Sequence, residues 1–109
     1  MKYLLMICCE DGFVGDEQVG ADTDAWVAET TRRGVRLSGS RLAPVGEAAT
    51  VRLRDGRRVV TDGPFAETKE QMAGYDLIEC DTRDEALEIA AAHPMARLGM
   101  IEVRPFWTG

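Results

Sequence analysis

Val59-Val-Thr-Asp-Gly-Pro-Phe-Ala-Glu-Thr-Lys-Glu-Gln-Met-Ala-Gly-Tyr-Asp-Leu-Ile-Glu-Cys80 is the stretch around which the chain is organised. Its head, Asp62-Gly63-Pro64-Phe65, reads as a rigid turn, because the glycine permits tight backbone angles and the proline fixes the next residue. Its tail, Gln71 to Cys80, reads as a strand with Tyr75 and Leu77 on one face and Ile78 and Cys80 on the other. Just upstream, Thr50–Arg54 and Arg57–Thr61 flank Asp55-Gly56, a strong hairpin signal that leaves the register open; a two-residue loop would set Leu53 opposite Arg58.

Working outward, Lys2 to Cys9 reads as a first strand, apolar at nearly every position and so covered on both faces. Glu10 to Gly20 reads as a Gly- and acid-rich loop, and Asp22 or Thr23 as the cap of a helix running to Arg33 with Trp26, Val27 and Thr30 inward. Val35, Leu37 and Gly39 alternate with Arg36, Ser38 and Ser40, which predicts a strand with one polar face, and Pro44–Gly46 is a turn. Thr82-Arg83-Asp84-Glu85 has capping-box spacing ahead of a helix that ends near Ala92, since Pro94 pushes His93 away from helical angles. Gly99 to Phe106 is the last strand, with Ile101 and Val103 facing one way and Met100, Glu102 and Arg104 the other.

The order is therefore strand, helix, strand, hairpin, strand, helix, strand. That is an α+β chain with an antiparallel sheet and two helices, enough to cover only one sheet face. Lys2–Cys9 and Tyr75–Cys80 carry apolar residues on both faces, so a second copy of the same sheet is the simplest cover for the other face.

The chain has 109 residues, which is one domain, and 45% hydrophobic residues with 29% charged, the balance of a globular protein. A net charge of −6 repels phosphate backbones and argues against nucleic acid. The longest apolar run, Tyr3 to Cys9, is too short for a membrane span, and the N-terminus does not read as a signal peptide. A cytoplasmic setting with reduced, buried Cys8, Cys9 and Cys80 is expected. There is no metal, flavin or nucleotide motif, so no cofactor is expected.

Candidate site residues are the polar groups near the turn and on the faces that two such sheets would enclose. Asp62 is the first, presented in a defined direction and suited to act as a base toward a small polar or carbonyl compound. In the alternative reading it accepts amide bonds from Phe65 or Ala66 and simply closes the turn. His93, the single histidine, sits where a helix C-terminus favours imidazolium. It is either a cap residue or a catalytic one. Arg104 can hold a ligand carboxylate or pair with Glu102. Tyr75 reads as a core aromatic with its hydroxyl at the rim, and Tyr75, Pro64 and Phe65 join Arg104 as candidate ligand-binding residues. The four arginines at 52, 54, 57 and 58 are either a solvated arm or an anion patch.

The Asp62-Gly63-Pro64-Phe65 turn, its flanks and the Glu102-Val103-Arg104-Pro105 strand resemble the DGPF-type proteins of the YCII-related family, over nearly the whole chain. The resemblance implies a ferredoxin-like fold that pairs into a dimeric α+β barrel. It implies no settled reaction. Relatives outside the DGPF group carry a His in the first helix and an Asp before the Pro that follows the second. Here Thr23 to Trp26 holds no His and His93 stands at the pre-Pro position, so that dyad does not transfer. Two functions remain open: an enzyme doing acid–base chemistry on a small metabolite, or a non-catalytic ligand-binding or regulatory dimer. The second follows from the resemblance, whose members are often encoded beside extracytoplasmic-function sigma factors. A structural adaptor is a weaker third.

Overall fold

Strand β1 (Lys2–Glu10) is the spine of the sheet. In the computed structural model, which describes residues 1–109, its side chains alternate strictly: Tyr3, Leu5, Ile7 and Cys9 are buried, while Leu4, Met6 and Cys8 on the opposite face are only partly covered. It pairs antiparallel with β5 (Glu70–Glu79) on one side and β6 (Met100–Pro105) on the other. Strand β2 (Arg36–Arg41) adds to the far edge of β5, giving the order β2-β5-β1-β6. Helix α1 (Glu17–Arg32), helix α2 (Arg83–Ala91) and the short α3 (Met95–Leu98) supply the other half of the core, through Trp26, Ala86, Ile89, Ala90 and Met95. This is the expected ferredoxin-like α+β fold with helices on one face. The hairpin β3 (Ala49–Arg54) and β4 (Arg57–Asp62) forms a separate two-stranded sheet. No helix is long and apolar enough to cross a membrane.

Helix α1 starts six or seven residues earlier than the sequence reading has it. Asp16 is the cap, its carboxylate accepting the Val19 N–H at 2.9 Å, and Glu17 follows as a first-turn acid. Gly15 and Gly20 disguise this turn as loop. Val19 packs on the core one helical repeat before Thr23 and Val27, which completes a stripe the glycines hide. Helix α2 begins as read: the Thr82 hydroxyl accepts the Glu85 N–H at 3.1 Å. Glu85 does not close the capping box, because its carboxylate lies 3.9 Å from Arg33 on α1. The Trp26 indole N–H donates to the Ile89 carbonyl at 2.9 Å and ties the two helices together.

Strand β2 departs from simple alternation, and the departure matters. A bulge between Arg36 and Ser38 places Arg36 opposite Ile78, and Gly39 opposite Asp76. Residues 36 and 39 thus share the helix-facing side, although strict alternation separates them, and Leu37 is left 46% exposed. Gly39 is required here by close approach: a Cβ would collide with the Asp76 carboxylate and the Arg36 guanidinium. In the hairpin, Leu53 does lie opposite Arg58, and Asp55 (φ 51°) and Gly56 (φ 74°) form the left-handed pair that suits a two-residue loop.

Two glycines test this account in opposite directions. Gly39→Ala overfills an occupied space and is expected to cost about 1–3 kcal/mol in urea unfolding. Gly20→Ala, in the first turn of α1 with nothing near its missing Cβ, is expected to stabilise by about 0.5–1 kcal/mol.

Candidate functional site

The chain between β1 and α1 arches over the edge of the sheet and leaves a cavity of about 430 Å³ beneath it. That volume is ample for a metabolite. Ile7, Val27 and Met95 give it apolar wall, and Arg36, Arg41, Asp76 and His93 give it polar groups. A second, larger groove of about 630 Å³ lies between α1 and α2. Its rim is made of charged side chains in solvent, including the Arg33–Glu85 contact at 3.9 Å. The smaller cavity has the better chemistry, because Asp76 and His93 are buried there and Arg36 is largely so.

The bulge and Gly39 together bring Arg36 against Asp76. The Arg36 Nε–H donates to Asp76 Oδ1 at 2.8 Å, with the two side chains 18% and 8% exposed. A pair this deep is held at a desolvation cost that Coulomb attraction offsets only when geometry is good. Burial pushes the Asp76 carboxyl pKa up, and Arg36 pulls it back in part. The pair is also incomplete. The two terminal nitrogens of Arg36 and Oδ2 of Asp76 have no hydrogen-bond partner in the protein, yet none is sealed from solvent. Arg36 therefore offers a two-pronged donor and Asp76 a free oxygen, both beside the cavity.

His93 borders both cavities and is the one residue they share. It is 5% exposed, packs edge-on against Trp26 with ring centroids 4.7 Å apart, and accepts the Met95 N–H on Nδ1 at 3.0 Å. This corrects the imidazolium expectation. Burial holds the pKa down to about 4, so the ring is neutral near pH 7 with its proton on Nε2. The cap reading holds in modified form: the imidazole caps the start of α3 and does not close the end of α2.

The remaining candidates are dispersed. Tyr75 borders the cavity from β5. Arg104 lies on the opposite sheet face, paired with Glu102 at 2.7 Å and well exposed. Asp62 ends the hairpin, exposed, and its carboxylate makes no hydrogen bond, so it neither closes the turn through the Phe65 or Ala66 amides nor enters either cavity. The turn is held instead by backbone: the Gly63 N–H donates to the Ala48 carbonyl at 2.7 Å, and the Thr50 hydroxyl donates to the Gly63 carbonyl at 2.9 Å. Pro64 and Phe65 follow it outside both cavities, Phe65 with 82% of its surface in water. The sequence reading passes over Asp76 and Arg36. The signal for Asp76 was present, a single carboxylate inside the apolar run Ala73–Ile78.

Fold and cavity together define a small ferredoxin-like α+β protein with a buried ion pair at a ligand-sized opening. The model of the YCII-related domain matches residues 1–108, and the chain belongs to that family. It is also similar to an uncharacterized protein of Rhizobium meliloti (strain 1021), with 44% identity over 94 residues spanning 83% of this chain and 74% of the relative.

Two measurements check the site. His93 binds a proton in the unfolded chain near 6.5 but in the folded one only near 4, so its stabilising effect is complete above pH 6.5 and lost as pH falls toward 4. Stability of His93→Gln should lack up to one proton's worth of that pH slope, read by urea titration between pH 4 and 7. Asp62→Asn, with no bond to lose, should change stability by less than about 0.5 kcal/mol.

Proposed function

We propose that the protein is a homodimer that binds a small carboxylate- or carbonyl-bearing metabolite in the cavity beside Arg36 and Asp76 and transfers a proton on it. The observation that carries this reading is the half-satisfied buried pair. Asp76 fixes the Arg36 guanidinium through Nε, leaving the terminal edge free and correctly shaped for a carboxylate. Asp76 Oδ2, on a carboxyl whose pKa burial raises, is the group suited to take a proton from the carbon next to a carbonyl. A neutral His93 Nε2–H in the same cavity can donate to the developing oxyanion, since Nδ1 is already occupied.

The dimer belongs to the same reading. The sheet face away from the helices presents Leu4, Met6, Leu77 and Met100, which one chain covers only in part. A second sheet completes the cover economically. Asp62 and Arg104, read from the sequence as base and ligand holder, take no part in the cavity of a single chain; their roles would arise only across the pair.

A non-catalytic sensor is the competing reading, and the Arg36 contact favours it, because an ion-paired carboxylate is a weaker base. Deuterium exchange separates the two. Small oxo acids and carboxylates found to bind by calorimetry are incubated in D2O and followed by NMR. Arg36→Gln should weaken binding at least tenfold, while Asp76→Asn should keep binding and lose exchange. Ligands that bind tightly and gain no deuterium would establish the sensor. The dimer is read by light scattering at micromolar concentration, where a monomer would contradict it.

A further inference from the structure

The hairpin β3–β4 is the largest feature that neither the core nor the cavity uses. Its strands twist out from the body and no helix or sheet strand packs along them. Cross-strand register gives it two dissimilar faces. Val51, Val60 and Leu53 share one face with Arg58; Arg52, Arg54 and Arg57 lie on the other with Val59. The apolar residues are far out in water: Val51 is 63%, Leu53 67% and Val60 52% exposed. An isolated two-stranded hairpin is marginal in water, and this one also exposes apolar side chains. Its sequence is built for contact.

Charge identifies the contact. Between Ala49 and Asp62 there are four arginines against two aspartates. Between Tyr3 and Thr31 there are seven carboxylates and no Lys or Arg at all. A chain of net charge −6 thus keeps nearly a third of its positive charge on one arm. The acidic segment also exposes apolar side chains, with Val14 82% and Phe13 36% in water beside the cavity mouth. Arm and segment match in both charge and apolar content. They do not meet within one chain: the five ion pairs of the structure include none from the arm.

We infer that the arm of each copy docks on the acidic β1–α1 segment of a second copy, so that the partner's hairpin closes the mouth of the cavity. The apolar face supplies burial, and the arginines supply register and association rate through complementary charge. The inference rests on the homodimer proposed above and assigns it a second contact, distinct from the open sheet face. A phosphate backbone is the rival occupant of a basic arm, but the field of the acidic body opposes it.

The test measures the dimer dissociation constant by sedimentation at 20 and 500 mM NaCl. Wild type is compared with a reversed arm, R52E/R54E/R57E/R58E, and with a reversed segment, D22K/D24K. Wild-type affinity should fall at high salt, where charges are screened beyond a few ångströms. Each reversed variant alone should lose at least tenfold at low salt, and mixing the two should restore a heterodimer. Because the arm stands clear of the core, circular dichroism melts should keep the body's transition. A dimer unaffected by arm reversal at either salt overturns the arm contact and leaves the sheet-face dimer standing. A wild-type monomer overturns both. Arm-dependent binding of duplex DNA at 150 mM NaCl, with self-association unchanged by reversal, would assign the arm to nucleic acid and overturn the inference.

Discussion

The buried pair of Arg36 and Asp76 sets the demands that the rest of the sheet edge meets. Either charge alone would be held there at a desolvation cost. Their meeting needs the β2 bulge to turn Arg36 toward the helices, and it needs Gly39 to leave room for both groups. It also needs β2 to hold its place on β5, which the backbone bond from Glu79 N to Val35 O helps to fix at 2.9 Å. A hydrophobic pair of the same volume would be cheaper to bury. Retaining a costly pair with unused donors and acceptors is the mark of a site under functional constraint, since charged side chains are rarely buried without a reason.

A second constraint is the thinness of the molecule. Its smallest extent is 19 Å, which is one sheet and one layer of helices. Such a layer buries the centre of one sheet face, with Tyr3, Leu5 and Ile78 almost wholly inaccessible. The other face mixes apolar residues with the exposed Arg104–Glu102 pair. The basic arm adds a further exposed surface. Sheet face, arm and acidic segment each stand open in one chain, and the proposed association of two copies would cover all of them at once. In that arrangement the cavity would gain a lid without any motion of its own walls.

Much of this was legible in the sequence, because it follows from local chemistry. Asp55-Gly56 specified the hairpin, and the structure settles its register as that of a two-residue loop. Thr82 specified the start of α2, and the alternation of Ile101 and Val103 specified which face of β6 meets the core. What escaped depended on tertiary geometry. Gly15 just ahead of the cap and Gly20 inside the first turn lowered the helical signal of α1, where the Asp16 cap outweighs the entropy cost of Gly20. The bulge in β2 has no local signature, so a period-2 reading placed Arg36 on the solvent side and hid its partner. The turn at Asp62 attracted attention by its rigidity, yet rigidity alone does not make a pocket. His93 was visible as an unusual residue, but its charge state was inverted: the helix end that favours imidazolium is buried, and desolvation outweighs the dipole.

The central claim is that the free edge of the Arg36 guanidinium accepts an anion inside the cavity. Nitrogen-15 spectra of the arginine side chains during an acetate titration test it most directly. The account predicts a resolved Arg36 Nε–H, protected by Asp76, and terminal nitrogens that shift saturably and slow their rotation as acetate binds, while those of the exposed Arg104 do not respond. Arg36 signals that stay unmoved, or that shift no more than those of the solvent-exposed arginines, would contradict it.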